Sequence, residues 1–208
     1  HPERAEVLRT YFPAMLYRKP QTLDEAIQKL LFFNALFWQV GHRHIGLGRL
    51  DKILYEYYER DIREGRITDA EAKGLLRQMI LTLGKDTRAK SVSLIGDTGQ
   101  YILLGGIDDD GQTIQNRLTL LFLELFTELN IPDPKLILRV NSETNDEVWS
   151  SAIRCISTGC GSPLLMNERP IMENMVRFGY NAKDVAQVGT SACWEPLIIG
   201  KSFDQNNP

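Results

Sequence analysis

The chain has 208 residues, 43% of them hydrophobic and 25% charged, and carries a formal net charge of -3. That composition suffices for a sizeable core and offers no basic field for a phosphate backbone, so a globular protein without a nucleic-acid partner is expected. No apolar run reaches the roughly 18 residues of a membrane helix, so no membrane association is expected, and three cysteines, an odd number, fit a reducing compartment, the cytoplasm, better than a disulfide scaffold.

In chain order, His1-Pro2-Glu3-Arg4 lacks the features of a signal peptide, and a start on His rather than Met points to a processed or excised chain. Thr22-Leu23-Asp24-Glu25 reads as a capping box, with Ile27, Leu30, Leu31, Asn34 and Trp38 on one face of the helix that follows. A glycine-rich loop over 42–48 leads to a second helix from Leu50 to Arg63, which Gly65 ends. Thr68-Asp69-Ala70-Glu71 is a second capping box, opening a helix with Leu75, Leu76, Met79, Ile80 and Leu83 inward.

From Ser91 the texture changes to alternating short apolar runs and amphipathic stretches. Strands are expected at Tyr101–Leu104, Leu136–Val140 and Leu164–Met166, and helices at Thr113–Leu129, Asp146–Thr158 and Pro170–Phe178. Such alternation favours parallel pairing in one sheet or barrel. The expected organisation is a helical subdomain over 1–90 and an α/β body over 91–208.

The candidate site is Val188-Gly189-Thr190-Ser191-Ala192-Cys193-Trp194-Glu195-Pro196. If Asp184 to Val188 is a strand, the small residues after it allow close backbone approach, and the proline redirects the chain. In an extended segment residues two apart share a face, so the Cys193 thiol and the Glu195 carboxylate would project into one space with Trp194 opposite. Other clusters read as structural. Cys155 and Cys160 lack the further ligands of a zinc site, and His42 and His44 lack a third ligand at metal-motif spacing, so no metal site is assigned. Asp108-Asp109-Asp110-Gly111 lacks the alternating ligands of a calcium loop and reads as a tight turn. Neither Gly105-Gly106 nor Gly46-x-Gly48 completes a dinucleotide fingerprint.

Seven pieces occur in order: Gly48-Arg49-Leu50-Asp51 with Tyr55–Tyr58, Gly65-Arg66-Ile67-Thr68, Gly99-Gln100, Gly105-Gly106-Ile107-Asp108, Pro132-Asp133-Pro134-Lys135-Leu136, Gly159-Cys160-Gly161-Ser162-Pro163 and Ala192-Cys193-Trp194-Glu195-Pro196. Together they resemble the pyruvate formate-lyase-like glycyl radical enzymes. The resemblance implies an α/β fold, here a fragment of a ten-stranded α/β barrel with an N-terminal helical subdomain, ending just after the cysteine loop. It implies that Cys193 matches the cysteine whose thiyl radical takes hydrogen from a small organic substrate, and that Glu195 matches the acid/base beside it, as in the dehydratase-like and decarboxylase-like branches.

The chain departs from the family pattern in three ways. Ala192-Cys193 replaces the two adjacent cysteines of pyruvate formate-lyase itself, which disfavours formate C-acetyltransferase-like acyl transfer. Ala192 and Trp194 depart from the usual spelling of the eliminating branches, and no Arg-Val-x-Gly-Tyr-like radical loop follows Cys193. The resemblance therefore implies that no cofactor is held by these residues themselves. The glycyl radical lies outside the chain and is installed by an S-adenosylmethionine/iron-sulfur activating enzyme, and this piece alone is expected to be inactive. A second copy of the parent chain, as a homodimer, is a further partner the resemblance allows; the alternatives in function are a non-catalytic barrel remnant and, ranked lower because the chain has no zinc cysteine set, an anaerobic ribonucleotide reductase.

Overall fold

The computed structural model describes residues 2–41, 45–85, 99–191 and 195–201. Helices α1 (Pro2–Leu16) and α2 (Leu23–Gln39) precede strand β1 (Ile45–Arg49), followed by α3 (Leu50–Ile53), α4 (Tyr55–Arg63) and α5 (Asp69–Leu83). Strands and helices then alternate through β2 (Gln100–Gly105), α6 (Arg117–Leu129), β3 (Lys135–Val140), α7 (Asp146–Ile156), β4 (Leu164–Asn167) and α8 (Glu168–Arg177). A 3-10 turn at Val185–Gln187 leads to β5 (Val188–Ser191) and β6 (Glu195–Ile198).

The first four strands form one sheet in the order β1-β2-β3-β4, with every neighbouring pair parallel. In a sheet order that never reverses, crossovers of one hand keep the connecting helices on one face. On that face Ile102, Leu104, Leu136, Leu138 and Val140 meet the buried residues of the helices, including Leu76, Met79, Ile80, Leu121, Phe122 and Phe126, in the larger core. Tyr101, Leu103, Ile137 and Met166 turn to the other face, where Met175 of α8, Val185, Val188 and Ile198 cover them. Burial on both faces is why β2 and β3 read as continuous apolar runs rather than alternating ones. Cys155 and Cys160 are buried in the larger core.

The structure departs from the sequence reading at five places. Residues 45–49 form β1 and pair with β2, whereas the sequence placed a loop over 42–48; Gly46 and Gly48 mask the short strand, and its register with β2 is interrupted between Gly46 and Arg49. Strand pairing therefore crosses position 90. The helix expected over 50–63 breaks at Leu54, where Tyr57 N donates to Leu54 O and starts α4. Thr113 is not helical: it bridges Ile107, and α6 starts after Asn116, whose Oδ1 accepts from Leu118 N and Thr119 N. Asp184–Val188 is not a strand; the strand starts at Val188. Finally, α1 has no counterpart in the sequence reading, because its Pro13-containing sequence lacks an amphipathic stripe.

The capping box at Thr68–Glu71 forms with both reciprocal hydrogen bonds. At Thr22 only half forms. Thr22 Oγ1 accepts from Glu25 N, but the Glu25 carboxylate accepts from Gln21 N and from both terminal nitrogens of Arg18. A two-point charged pair outcompetes a single backbone N–H. No helix among the described residues is long and apolar enough to cross a membrane.

Candidate active site

β5 and β6 pair antiparallel, with Val188 opposite Ile198, Gly189 opposite Leu197, Thr190 opposite Pro196 and Ser191 opposite Glu195. The hairpin stands, with α8, on the face of the sheet opposite α5, α6 and α7, against β1 and β2. Gly189 permits that approach: a Cβ there would lie 2.8 Å from Ile199 Cδ1 and 3.1 Å from Leu103 Cδ2. Gly189 thus serves the close approach that the sequence suggested.

Glu195, the first residue of β6, is exposed. Cys193, with Ala192 and Trp194, lies outside the described residues, as do His42 and His44. Ser191 and Glu195, which flank the cysteine, are ladder partners.

The carboxyl ends of the four parallel strands carry a cluster of charged side chains that the sequence reading quoted in part but gave no role. Arg49 ends β1, Arg139 lies in β3, Glu168 follows β4, and Asp51 lies one residue into α3 from Leu50; all four are buried. Arg139 Nη2 donates to Glu168 Oε2 at 2.7 Å, and that oxygen also accepts from Ile107 N at 3.1 Å. Asn141 Nδ2 donates to the other oxygen of Glu168. Arg49 Nη2 donates to Gly105 O at 2.7 Å, while Asp51 Oδ2 accepts from Gly105 N and Thr119 Oγ1, both at 2.7 Å. Both guanidinium groups also reach the turn that precedes the hairpin: Arg139 Nη2 donates to Ala186 O at 3.1 Å and Arg49 Nη1 to the same oxygen at 3.5 Å.

Burial dominates the electrostatics here. It pushes Arg49 down to about 10, with the neighbouring Arg139 adding to the effect and Asp51 and Glu168 opposing it. It likewise lowers Arg139, against the pull of Glu168, and raises Asp51, against the hydrogen bonds from Gly105 and Thr119. One sequence signal pointed to this cluster. An arginine inside the apolar run Leu136-Ile137-Leu138-Arg139-Val140 is a charge in a strand buried on both faces, and such a charge requires a partner.

In open and closed α/β sheets, ligand chemistry gathers at the carboxyl ends of parallel strands, and this is the end at which the cluster meets the hairpin. The architecture is an α/β fold with a parallel sheet, matching solved glycyl radical enzymes. One from Archaeoglobus fulgidus superposes with a TM-score of 0.79 at 26% identity, covering 88% of this chain and 24% of that one. Trans-4-hydroxy-L-proline-bound hydroxyproline dehydratase from Clostridioides difficile gives a TM-score of 0.77 at 26% identity over 87% and 24% of the two chains. Among curated relatives, (2S)-3-sulfopropanediol dehydratase of Klebsiella oxytoca is 28% identical over 88% of this chain and 23% of its own length. The sequence model of the pyruvate formate lyase-like family matches residues 12–206, and the chain belongs to that family. It spans about a quarter of the length of these relatives.

Proposed function

We propose that the chain is the part of a glycyl radical lyase or dehydratase, built on a ten-stranded α/β barrel, that carries the hydrogen-abstracting cysteine. The observation that supports this most is the hairpin: β5 and β6 flank Cys193, stand on the sheet face away from α5, α6 and α7, and begin their second strand at an exposed Glu195. The substrate class is a small polar organic molecule, by analogy with relatives such as (2S)-3-sulfopropanediol dehydratase and trans-4-hydroxy-L-proline dehydratase.

In this reading Cys193 Sγ, once a radical, takes a hydrogen atom from a substrate carbon, forming S–H as C–H breaks. The Glu195 carboxylate accepts the proton of a neighbouring hydroxyl or returns one to the leaving group, and it must sit within hydrogen-bond reach to do so. After the leaving group departs, the thiol gives its hydrogen atom back and the radical returns to sulfur. The glycyl radical, when present, supplies the one-electron oxidation of the thiol; it belongs to a segment outside these 208 residues and is installed by an S-adenosylmethionine/iron-sulfur activase. Exposure of Glu195 and Pro196 at the start of β6 is compatible with a further segment approaching there. The single cysteine at this loop, Ala192-Cys193, supports elimination over acyl transfer, which uses a second thiol.

In the full-length enzyme, Cys193→Ala is expected to abolish turnover, by at least about 10⁴-fold, while the glycyl radical signal in electron paramagnetic resonance persists. Turnover retained in that variant would sink the assignment.

A further inference from the structure

Buried guanidinium groups are expensive to keep, and replacing a buried ion pair with apolar side chains is often neutral or stabilising. Arg49 and Arg139 are nonetheless 2% and 1% exposed, and their hydrogen bonding is incomplete: Arg49 Nε, Arg139 Nε and Arg139 Nη1 have no partner among the described residues. Stability alone is therefore a poor account of them. What they share is Ala186 O, the acceptor on which Arg49 Nη1 and Arg139 Nη2 converge at 3.5 and 3.1 Å.

Ala186 sits at the base of the hairpin. The next residue, Gln187, accepts from Ile199 N at 3.0 Å through its carbonyl, which closes the hairpin behind β6, and its side chain donates to Asp109. Asp109 pairs with Lys52 of α3 at 3.0 Å. The base is thus tied to the ends of β1 and β3, to the β2–α6 turn and to α3. Glu168 neutralises Arg139 and is itself held by hydrogen bonds from Ile107 N and Asn141, so the guanidinium is anchored to a fixed carboxylate.

We propose that Arg49, Arg139 and Glu168 are positioning residues that set the angle of the β5–β6 hairpin relative to the sheet. The proposal rests on Cys193 and Glu195 being the catalytic pair that the hairpin presents. The strand Val188–Ser191 covers about 10 Å at ~3.3 Å per residue, so a tilt of about 6° at its base moves Ser191 by about 1 Å. A displacement of that size at reacting atoms is worth about 100-fold in rate. Two guanidinium groups arriving from different strands resist tilting in a way that a single hydrogen bond does not.

The test uses the full-length enzyme containing these residues, with Arg139→Lys, which keeps the charge and loses the fork, and Glu168→Gln, which keeps the shape and loses the charge. Glycyl radical content, KM, and kcat per radical are measured for both. Expected are radical content within about twofold of the parent, KM within about threefold, and kcat per radical lowered by about tenfold or more. A kcat per radical within about twofold of the parent in both variants would overturn the proposal. So would the failure of both to accumulate as folded protein, which would assign the cluster to stability. Failure of the catalytic reading registers separately, as turnover surviving Cys193→Ala.

Discussion

Gly106 shows how much a single residue holds at this site. Its φ is +75°, and a Cβ there would lie 2.4 Å from Arg139 Nε and 2.6 Å from both Arg139 Cζ and Glu168 Oε2. A side chain would therefore bring left-handed backbone strain and also push the buried ion pair apart. Gly111, in the neighbouring turn, separates the two effects: its φ is +78°, and nothing lies within 4 Å of the Cβ position. Backbone strain of this kind costs about 1–2 kcal/mol. Gly111→Ala is expected to lose about that much in urea unfolding, and Gly106→Ala at least about 2 kcal/mol more, because one partner of a buried pair is displaced. Equal losses at the two positions would show that the Arg139–Glu168 contact contributes nothing to the fold. The sequence marked Gly105-Gly106 as a motif without a role; the role depends on Arg139 and Glu168, which are far away in the chain and meet only once β2, β3 and β4 are aligned.

Among the elements, α5 and α6 are joined by a ladder of ion pairs above their shared apolar face. Arg117 donates to Asp69 through Nη2 at 2.8 Å and Nε at 3.1 Å, and to Glu124 through Nη1 at 2.6 Å, while Lys73 meets Glu124 at 3.0 Å and Glu128 at 2.6 Å. The hydrogen bonds from Arg117 are the leading cause that holds the Asp69 carboxyl below its ordinary 3.8, with burial working against them. A folded-state value below the unfolded one means that the contribution is fully present above about pH 4 and is lost as pH falls through the folded value. Partly exposed pairs contribute about 0.2–1 kcal/mol each, so Arg117→Leu is expected to cost roughly 1 kcal/mol at pH 7. Chemical denaturation as a function of pH should show that gap closing below about pH 4. A gap that stays constant to pH 2.5 would assign the loss to packing of the Arg117 stem instead. Elements with a strong local signal, such as α5 with its capping box and the apolar runs of β2 and β3, were legible because local chemistry and tertiary burial agree there. β1 was not legible: five residues with two glycines carry no period, and their strand character comes from pairing with β2 more than fifty residues later.

Across the whole molecule, one four-stranded sheet serves two cores, and adjacent residues of β3 belong to different ones: Leu138 to the core beneath the helices, Ile137 to the core beneath the hairpin and α8. The continuous apolar character of this strand shows in the sequence. Which residue serves which core does not, since period-two alternation disappears when both faces are buried. The candidate site was legible to the same limited degree: the Cys-x-Glu spacing is local, while the support that Arg49 and Arg139 give to Ala186 joins residues 137 and 47 positions apart. If the hairpin is held rigidly to the sheet, the second core must unfold together with the first. Ile137→Ala and Leu138→Ala are then each expected to lose about 2–5 kcal/mol, with loss of far-ultraviolet circular dichroism coinciding with loss of amide protection in Val188–Ser191. The contrary result is specific. If Ile137→Ala releases the Val188–Ser191 amides at a denaturant concentration where the helical signal is intact, the hairpin is only loosely docked, and two arginines at its base could not hold its tip to the tolerance that the proposed hydrogen abstraction requires.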